Sequence, residues 1–202
     1  MNPMFIGVGG CGINLLEAWK NGLPESSAFI GVNRDSTRLK NLDGQMKTIR
    51  LLSADHVDVW SEELSTAEMQ VKASMQMNFT QVNAFMDNHD SVVILAGLGG
   101  MTGSWATQVL AEYCIASRWS AVVMVTTPFC FERKRKHVAI EALQALKSLG
   151  CPVITYDNQD ITKLYPNCSF SDALWRANKG FLNSYRAYIG ELKQGGDNEC
   201  RQ

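Results

Sequence analysis

At 202 residues the chain is long enough for one domain with a full core and short for two. Hydrophobic residues make up 46% and charged residues 19%, a profile that excludes a disordered or low-complexity protein. The net charge of −1 gives no global electrostatic reason to expect nucleic acid, and the one local basic run, Arg133-Lys134-Arg135-Lys136-His137, reads as a solvated helix face. Residues 4–8 predict a first strand, Gly9-Gly10-Cys11-Gly12 a glycine turn, and 13–21 a helix ended by Gly22-Leu23-Pro24. A second strand over 28–32 carries Asn33-Arg34-Asp35 at its C-terminal end, and 47–52 alternates as a third. Ser65-Thr66-Ala67-Glu68 has the pattern of a capping box. Val71, Met75, Phe79, Val82, Phe85 and Met86 then recur at helical spacing, which makes the methionines there core filler.

Residues 91–95 are an apolar, β-branched fourth strand, and they run directly into Ala96-Gly97-Leu98-Gly99-Gly100-Met101-Thr102-Gly103-Ser104-Trp105. A helix follows over 106–117, a fifth strand over 120–126, a loop over 127–131 and a helix over 132–149 that Gly150 stops. A short sixth strand at 153–156 leads into the loop Asp157-Asn158-Gln159-Asp160. The last helix is expected to start near Ser171 as its N-cap and to run to about Lys193. Leu174, Phe181, Tyr185, Tyr188 and Leu192 lie along one face of it, with Trp175, Leu182 and Ile189 beside them. Residues 194–202 read as a polar tail.

Alternating strands and helices predict an α/β fold: a three-layer, Rossmann-like domain with a mainly parallel sheet of about six strands flanked by helices. Right-handed crossovers place every strand's C-terminal end on one edge, where the loops after strands one, two, four, five and six meet. The cysteines at 11, 114, 130, 151, 168 and 200 form no C-x-x-C pair and no zinc-like spacing, and point to free thiols in a reducing compartment. No basic n-region opens the chain, and no apolar run reaches the ~18 residues of a membrane helix, so a cytoplasmic protein is expected.

Two glycine-rich turns, each between a strand and a helix, carry the chemistry. Glycine lets the backbone approach a ligand closely and accepts positive φ. Each turn also aims free N–H groups and a helix N-terminus at one point, which suits phosphate. Gly7, Gly9 and Gly12 satisfy G-x-G-x-x-G, and Asp35 stands where a dinucleotide fold has its acidic ribose partner. An NAD(P)-binding Rossmann oxidoreductase is therefore one reading, but it has no use for the second glycine turn, and His56, His89 and His137 fall in no catalytic context. The other reading is a nucleoside di- or triphosphate held between both turns by backbone N–H groups. No Gly-Lys-Ser/Thr tripeptide occurs, so it is not a P-loop, and magnesium would help balance the phosphate charge.

Gly7-Val8-Gly9-Gly10-Cys11-Gly12-Ile13-Asn14, Val32-Asn33-Arg34-Asp35, residues 96–106 and Thr127-Pro128-Phe129-Cys130-Phe131-Glu132 resemble, in order and spacing, the nucleotide loops of the tubulin/FtsZ GTPases. The resemblance is closest to bacterial FtsZ, and the central stretch is similar to the family signature G-G-G-T-G-[ST]-G. It implies that Gly9, Gly10, Gly12 and Asn14 lie at the phosphates, and that Gly99, Gly100, Thr102, Gly103 and Ser104 wrap the α- and β-phosphates. It places Glu132 and Lys136 by the ribose and Asn158 near the sugar and base. It also implies that Asn178 hydrogen-bonds the guanine edge and that Leu174 packs on the base. Cys11, Asn33, Met101 and Pro128 complete the implied nucleotide-binding set.

The sequence departs from the family at several places. Met101 and Trp105 replace signature glycines, Arg133 replaces another glycine, and Lys136 stands where arginine is usual. Residues 53–68 lack the glycine- and alanine-rich loop that meets the γ-phosphate. The resemblance covers 1–193 and ends with the central helix, before the catalytic loop that acts on a neighbouring subunit and before the family's second domain. The expectation is a single-domain, FtsZ-like GTP- or GDP-binding protein with magnesium, weak or no GTP hydrolysis alone, and possible self-association or modulation of a full-length FtsZ. No nucleic acid and no membrane insertion are expected, nor a catalytic residue or metal ligand of its own. The alternative from another class is a degenerate FtsZ-like interaction scaffold without nucleotide.

Overall fold

The computed structural model of the chain describes residues 2–42, 44–52, 66–86 and 88–199, with side chains as far as 191. It divides into two compact units, Met1–Gln159 and Asp160–Gln202.

The first unit is built on six parallel strands: β1 (Pro3–Val8), β2 (Ala28–Asn33), β3 (Lys47–Arg50), β4 (Ser91–Gly97), β5 (Ser120–Thr127) and β6 (Val153–Asp157). Their order across the sheet is β3-β2-β1-β4-β5-β6. The central strands β1, β4 and β5 are near-continuous apolar runs because helices cover both of their faces. Alternation sorts their side chains. Met4, Ile6, Val8, Val92, Ile94, Val123 and Val125 enter the main core, with Val71 and Met75 of α3 (Ala67–Gln76), Val82 and Met86 of α4 (Phe79–Met86), Val109 and Leu110 of α5 (Thr107–Ala116) and Ala139, Ala142 and Leu146 of α6 (Arg133–Ser148). The opposite face meets α1 (Gly9–Trp19) and α2 (Ser36–Lys40), where Ile13, Leu39 and Leu42 form a smaller cluster. Gly7 and Gly31 are glycine on that face for packing: a Cβ on Gly7 would lie 2.7 Å from Leu16 Cδ1, and one on Gly31 3.0 Å from Leu42 Cδ1.

The structure is an open α/β, Rossmann-like fold, as expected, but several boundaries differ. The first glycine turn is the opening turn of α1 itself. The apolar repeat from Val71 to Met86 is two helices, α3 and α4, and not one. Thr66 caps α3, its hydroxyl accepting the Met69 N–H at 3.2 Å, whereas the expected capping box began at Ser65, which lies outside the described residues, as does most of 53–68. Met75 and Met86, the methionines of that repeat, are buried as expected, while Met77 between the two helices is exposed. The short helices α2 and α7 (Gln159–Leu164) have no counterpart in the periodicity, being too short to show one.

In the second unit, α8 spans Phe170–Glu199. It starts one residue before Ser171, because Ser169 is the cap: its hydroxyl accepts the Asp172 N–H at 3.1 Å and donates to Asp172 Oδ2 at 2.6 Å. It also runs past Lys193 through most of the expected tail. Ala173, Ala177, Phe181, Leu182 and Tyr185 are buried, while Trp175 is exposed and carries Lys179 Nζ 3.8 Å from its ring centroid. No helix among the described residues is long and apolar enough to cross a membrane.

Candidate functional site

All six strands are parallel, so their C-terminal ends share one edge. The order reverses between β1 and β4, and the loops leaving those two strands are the two glycine turns. At the end of β1, Val8 is still extended (φ −102°, ψ 121°) and Gly9 already begins α1. No side chain caps this helix and no acidic residue sits in its first turn. Its opening N–H groups therefore keep the partial positive charge that attracts anions. The helix is pressed against β4 by missing side chains. A Cβ on Gly12 would lie 2.2 Å from the Leu95 carbonyl oxygen, and one on Gly97 2.6 Å from Cys11 Cβ. Cys11 Sγ lies 3.4 Å from Thr126 Oγ1. Desolvation raises that thiol above its ordinary value, against the opposing effects of the Thr126 hydroxyl and the Arg135 charge.

The second turn is locked from within. Gly99 sits at φ +94°, and a Cβ there would lie 2.7 Å from the Arg135 carbonyl oxygen and 2.8 Å from Pro128 Cγ. Its N–H donates to Ser104 Oγ at 2.9 Å, while the Ser104 N–H donates to the Gly100 carbonyl at 2.9 Å. Ser104 is fully buried, so its hydroxyl shapes the loop from behind. Residues Thr102–Ala106 wind as a single π-helical turn, a form often found at functional sites. A Cβ on Gly103 would lie 2.2 Å from the Gly97 carbonyl oxygen.

The two turns are close neighbours. Gly9 sits at φ +71°, and a Cβ there would lie 3.3 Å from the Gly103 backbone N. Beside this junction Gly10 and Gly100 face open space, with nothing within 4 Å of a Cβ on either. The two turns thus lie together at the sheet edge, with backbone and not side chains at Gly10 and Gly100.

The replaced signature glycines leave this geometry intact. Met101 has ordinary helical dihedrals (φ −56°, ψ −53°), and its side chain packs against the main core. Trp105 is buried in that core, with Lys72 Nζ 4.9 Å from its ring centroid. The positive φ that the loop requires falls at Gly99, which is still glycine.

The flanking candidates sit on neighbouring loops of the same edge. Pro128 is buried beside Gly99. Glu132 precedes α6 and is paired with Arg135 at 3.1 Å, and Lys136 is exposed one turn on. Asn33 is buried, its Oδ1 accepting the Arg34 N–H at 2.8 Å. Asn158 is held by its N–H donating to the Thr127 carbonyl at 3.2 Å. Asp35, the acid of the dinucleotide reading, accepts the N–H groups of Thr37 (2.9 Å) and Arg38 (3.1 Å) and so caps α2. Leu174 and Asn178 belong to the second unit, both half-buried on α8. Three contacts had no sequence signal: Thr126 on Cys11, Gln159 Oε1 accepting the Cys130 N–H at 3.2 Å, and Arg38 donating to Asn14 at 2.7 Å.

The sequence profile of the Tubulin/FtsZ family, GTPase domain, matches residues 3–166. The chain belongs to the Tubulin/FtsZ family. Among curated relatives, FtsZ 1 of Methanocaldococcus jannaschii is 26% identical over 199 residues, covering 95% of this chain and 52% of that protein. FtsZ of Pseudomonas aeruginosa is 29% identical over 193 residues, covering 95% and 48%. Both carry the name cell division protein. This family member thus spans about half the length of those relatives. Among solved structures, the empty FtsZ dimer from M. jannaschii superposes with a TM-score of 0.76 at 22% identity, over 93% of this chain and 54% of that one. The GTPγS-bound protofilament of CetZ2 from Haloferax volcanii gives 0.72 at 22%, over 95% and 58%. At that identity the superpositions speak for the fold, and the profile match speaks for the family.

Proposed function

We propose that this Tubulin/FtsZ-family chain binds GTP or GDP at the C-terminal edge of its sheet, with the phosphates in the cleft between the Gly9–Gly12 turn and the Gly99–Ser104 turn. One observation carries the reading: an uncapped helix N-terminus lies against a second glycine turn, with little room for more than glycine between Gly9 and Gly103, beside two glycines that face open space. Backbone N–H groups there can take phosphate oxygens with no lysine. Lys136 and the exposed basic residues before it supply positive charge from the first turn of α6, just after the next loop. Among the described residues no group of three or more His, Cys, Asp or Glu could hold a metal ion. Magnesium would accordingly arrive on the phosphates, keep most of its water, and neutralise their charge. Base selection by Asn158 and Asn178, and ribose contact by Glu132, rest on the resemblance.

Trp105 buried in the core and Met101 packed against it favour this reading over a scaffold that has lost its nucleotide. Calorimetric titration with GTP, GDP and ATP in the presence of magnesium tests it. Guanine-specific binding is the expected result, and absence of binding to all three would leave the scaffold in front. Slow GTP turnover by the chain alone, and association with itself or with a full-length FtsZ, belong to the same proposal. Turnover assays and sedimentation with and without nucleotide decide them.

A further inference from the structure

Arg38 is not among the residues that the family signature brings to the nucleotide, yet it reaches one of them. Asn14 and Glu17 are three residues apart on α1 and share a face. Arg38, on α2, spans the gap between the helices. Its Nη2 donates to Asn14 Oδ1 at 2.7 Å and also to Glu17 Oε2. A single guanidinium nitrogen with two hydrogens serves both acceptors.

This geometry has a chemical consequence. A guanidinium has donors only, so the amide of Asn14 must turn its oxygen toward Arg38. Its Nδ2, with two N–H donors, then faces away. Asn14 is exposed at the second turn of α1, on the helix whose open N-terminus forms one side of the cleft. With the opposite amide orientation, Asn14 would present a lone pair to an anion. Glu17 holds the guanidinium in place and balances its charge, and both side chains are partly shielded, at 27% and 33% exposure. Asp35 holds the backbone end, its Oδ1 accepting the Arg38 N–H at 3.1 Å.

We propose that Arg38, held by Glu17, is a positioning residue for nucleotide binding: it fixes the Asn14 amide so that its N–H groups point to acceptor atoms of the bound nucleotide. The inference rests on the proposed guanine-nucleotide site. Its test is a double-mutant cycle of Asn14→Ala and Arg38→Met, titrated with magnesium GDP. Each single change is expected to weaken binding by roughly 3- to 10-fold, and the double variant should bind no more weakly than Asn14→Ala alone. Multiplying losses would overturn the proposal, because Arg38 would then act without Asn14. Arg38→Lys, which keeps a donor, should recover part of the loss, and failure to recover any would also count against it. Glu17→Gln is the milder variant should Arg38→Met fold poorly, and it should weaken binding in the same direction. The side-chain amide resonance of Asn14, recorded without nucleotide, separates the two readings. If wild-type protein binds no guanine nucleotide, the site proposal fails. In that case a shifted Asn14 resonance in Arg38→Met still upholds the contact, and an unmoved one removes it.

Discussion

Gly103→Ala is the sharpest perturbation of the cleft. A Cβ at 103 would stand 2.2 Å from the Gly97 carbonyl oxygen, where real Cβ atoms essentially never come under 3.0 Å. The obstacle is backbone in the central strand β4, not the end of a flexible side chain, so relief requires the π-helical turn to move. That puts the cost at or above the upper end of the roughly 1–3 kcal/mol typical of overpacking. For a chain of this size each kcal/mol shifts the melting midpoint by about 2–4 °C, so a fall of about 6–12 °C is expected. Moving the turn also parts it from Gly9, and guanine-nucleotide binding should fall with it. Gly100→Ala is the matched control, since a Cβ there meets nothing within 4 Å. It should change stability by no more than about 0.5 kcal/mol. If the open space is where phosphate sits, it should still weaken binding about tenfold or more, roughly 1.4 kcal/mol. Differential scanning fluorimetry and calorimetric titration read the two effects apart. A Gly103→Ala protein that melts with wild type would refute the packing argument, and Gly100→Ala with undiminished binding would show that the ligand lies elsewhere.

Ser104→Ala removes the acceptor of the Gly99 N–H and should cost about 1–2 kcal/mol, read as a lower thermal midpoint; an unchanged midpoint would mean that water replaces the hydroxyl. Asp35→Ala uncaps α2 and should cost about 1 kcal/mol, with faster amide exchange at Thr37 and Arg38. The Cys114 thiol is pushed up from its ordinary 9.0 to about 12, by burial first and by the nearby Cys151 second. The folded state holds that proton more tightly, so this contribution is complete below pH 9.0 and is lost as the pH rises through about 12. Urea unfolding should therefore show stability falling with pH above 9.0, with a shallower slope in Cys114→Ala; equal slopes would contradict the shift.

Much of the backbone geometry at the candidate site was legible from residue order alone. Gly9, Gly12, Gly99 and Gly103 announce themselves because a strand ending in glycine before a helix has few structural uses, and close backbone approach is one of them. Met101 and Trp105 looked like damage in sequence. In space they are neutral, because the positive φ lies at Gly99 and both side chains have a core to enter. Ser104, which the resemblance places in the phosphate loop, is buried and its hydroxyl accepts the Gly99 N–H. Nothing in a linear pattern distinguishes a serine that faces a cleft from one that braces it.

By itself the sequence determined the strands and the chemistry of the loops between them. Short apolar runs at β1, β4 and β5, β-branched in the last two and bounded by glycine or polar turns, favour strands covered on both faces, and glycine at fixed points marks where the chain can bend. Tertiary structure decided the rest. It set β1 between β2 and β4, so that two turns far apart in the chain meet at Gly9 and Gly103. It also brought Arg38, from a helix too short to show a period, against Asn14. The physical reason is the same in both cases: local propensity acts over a few bonds, whereas the partner of a glycine amide or of a guanidinium is chosen by packing between segments that the sequence holds apart.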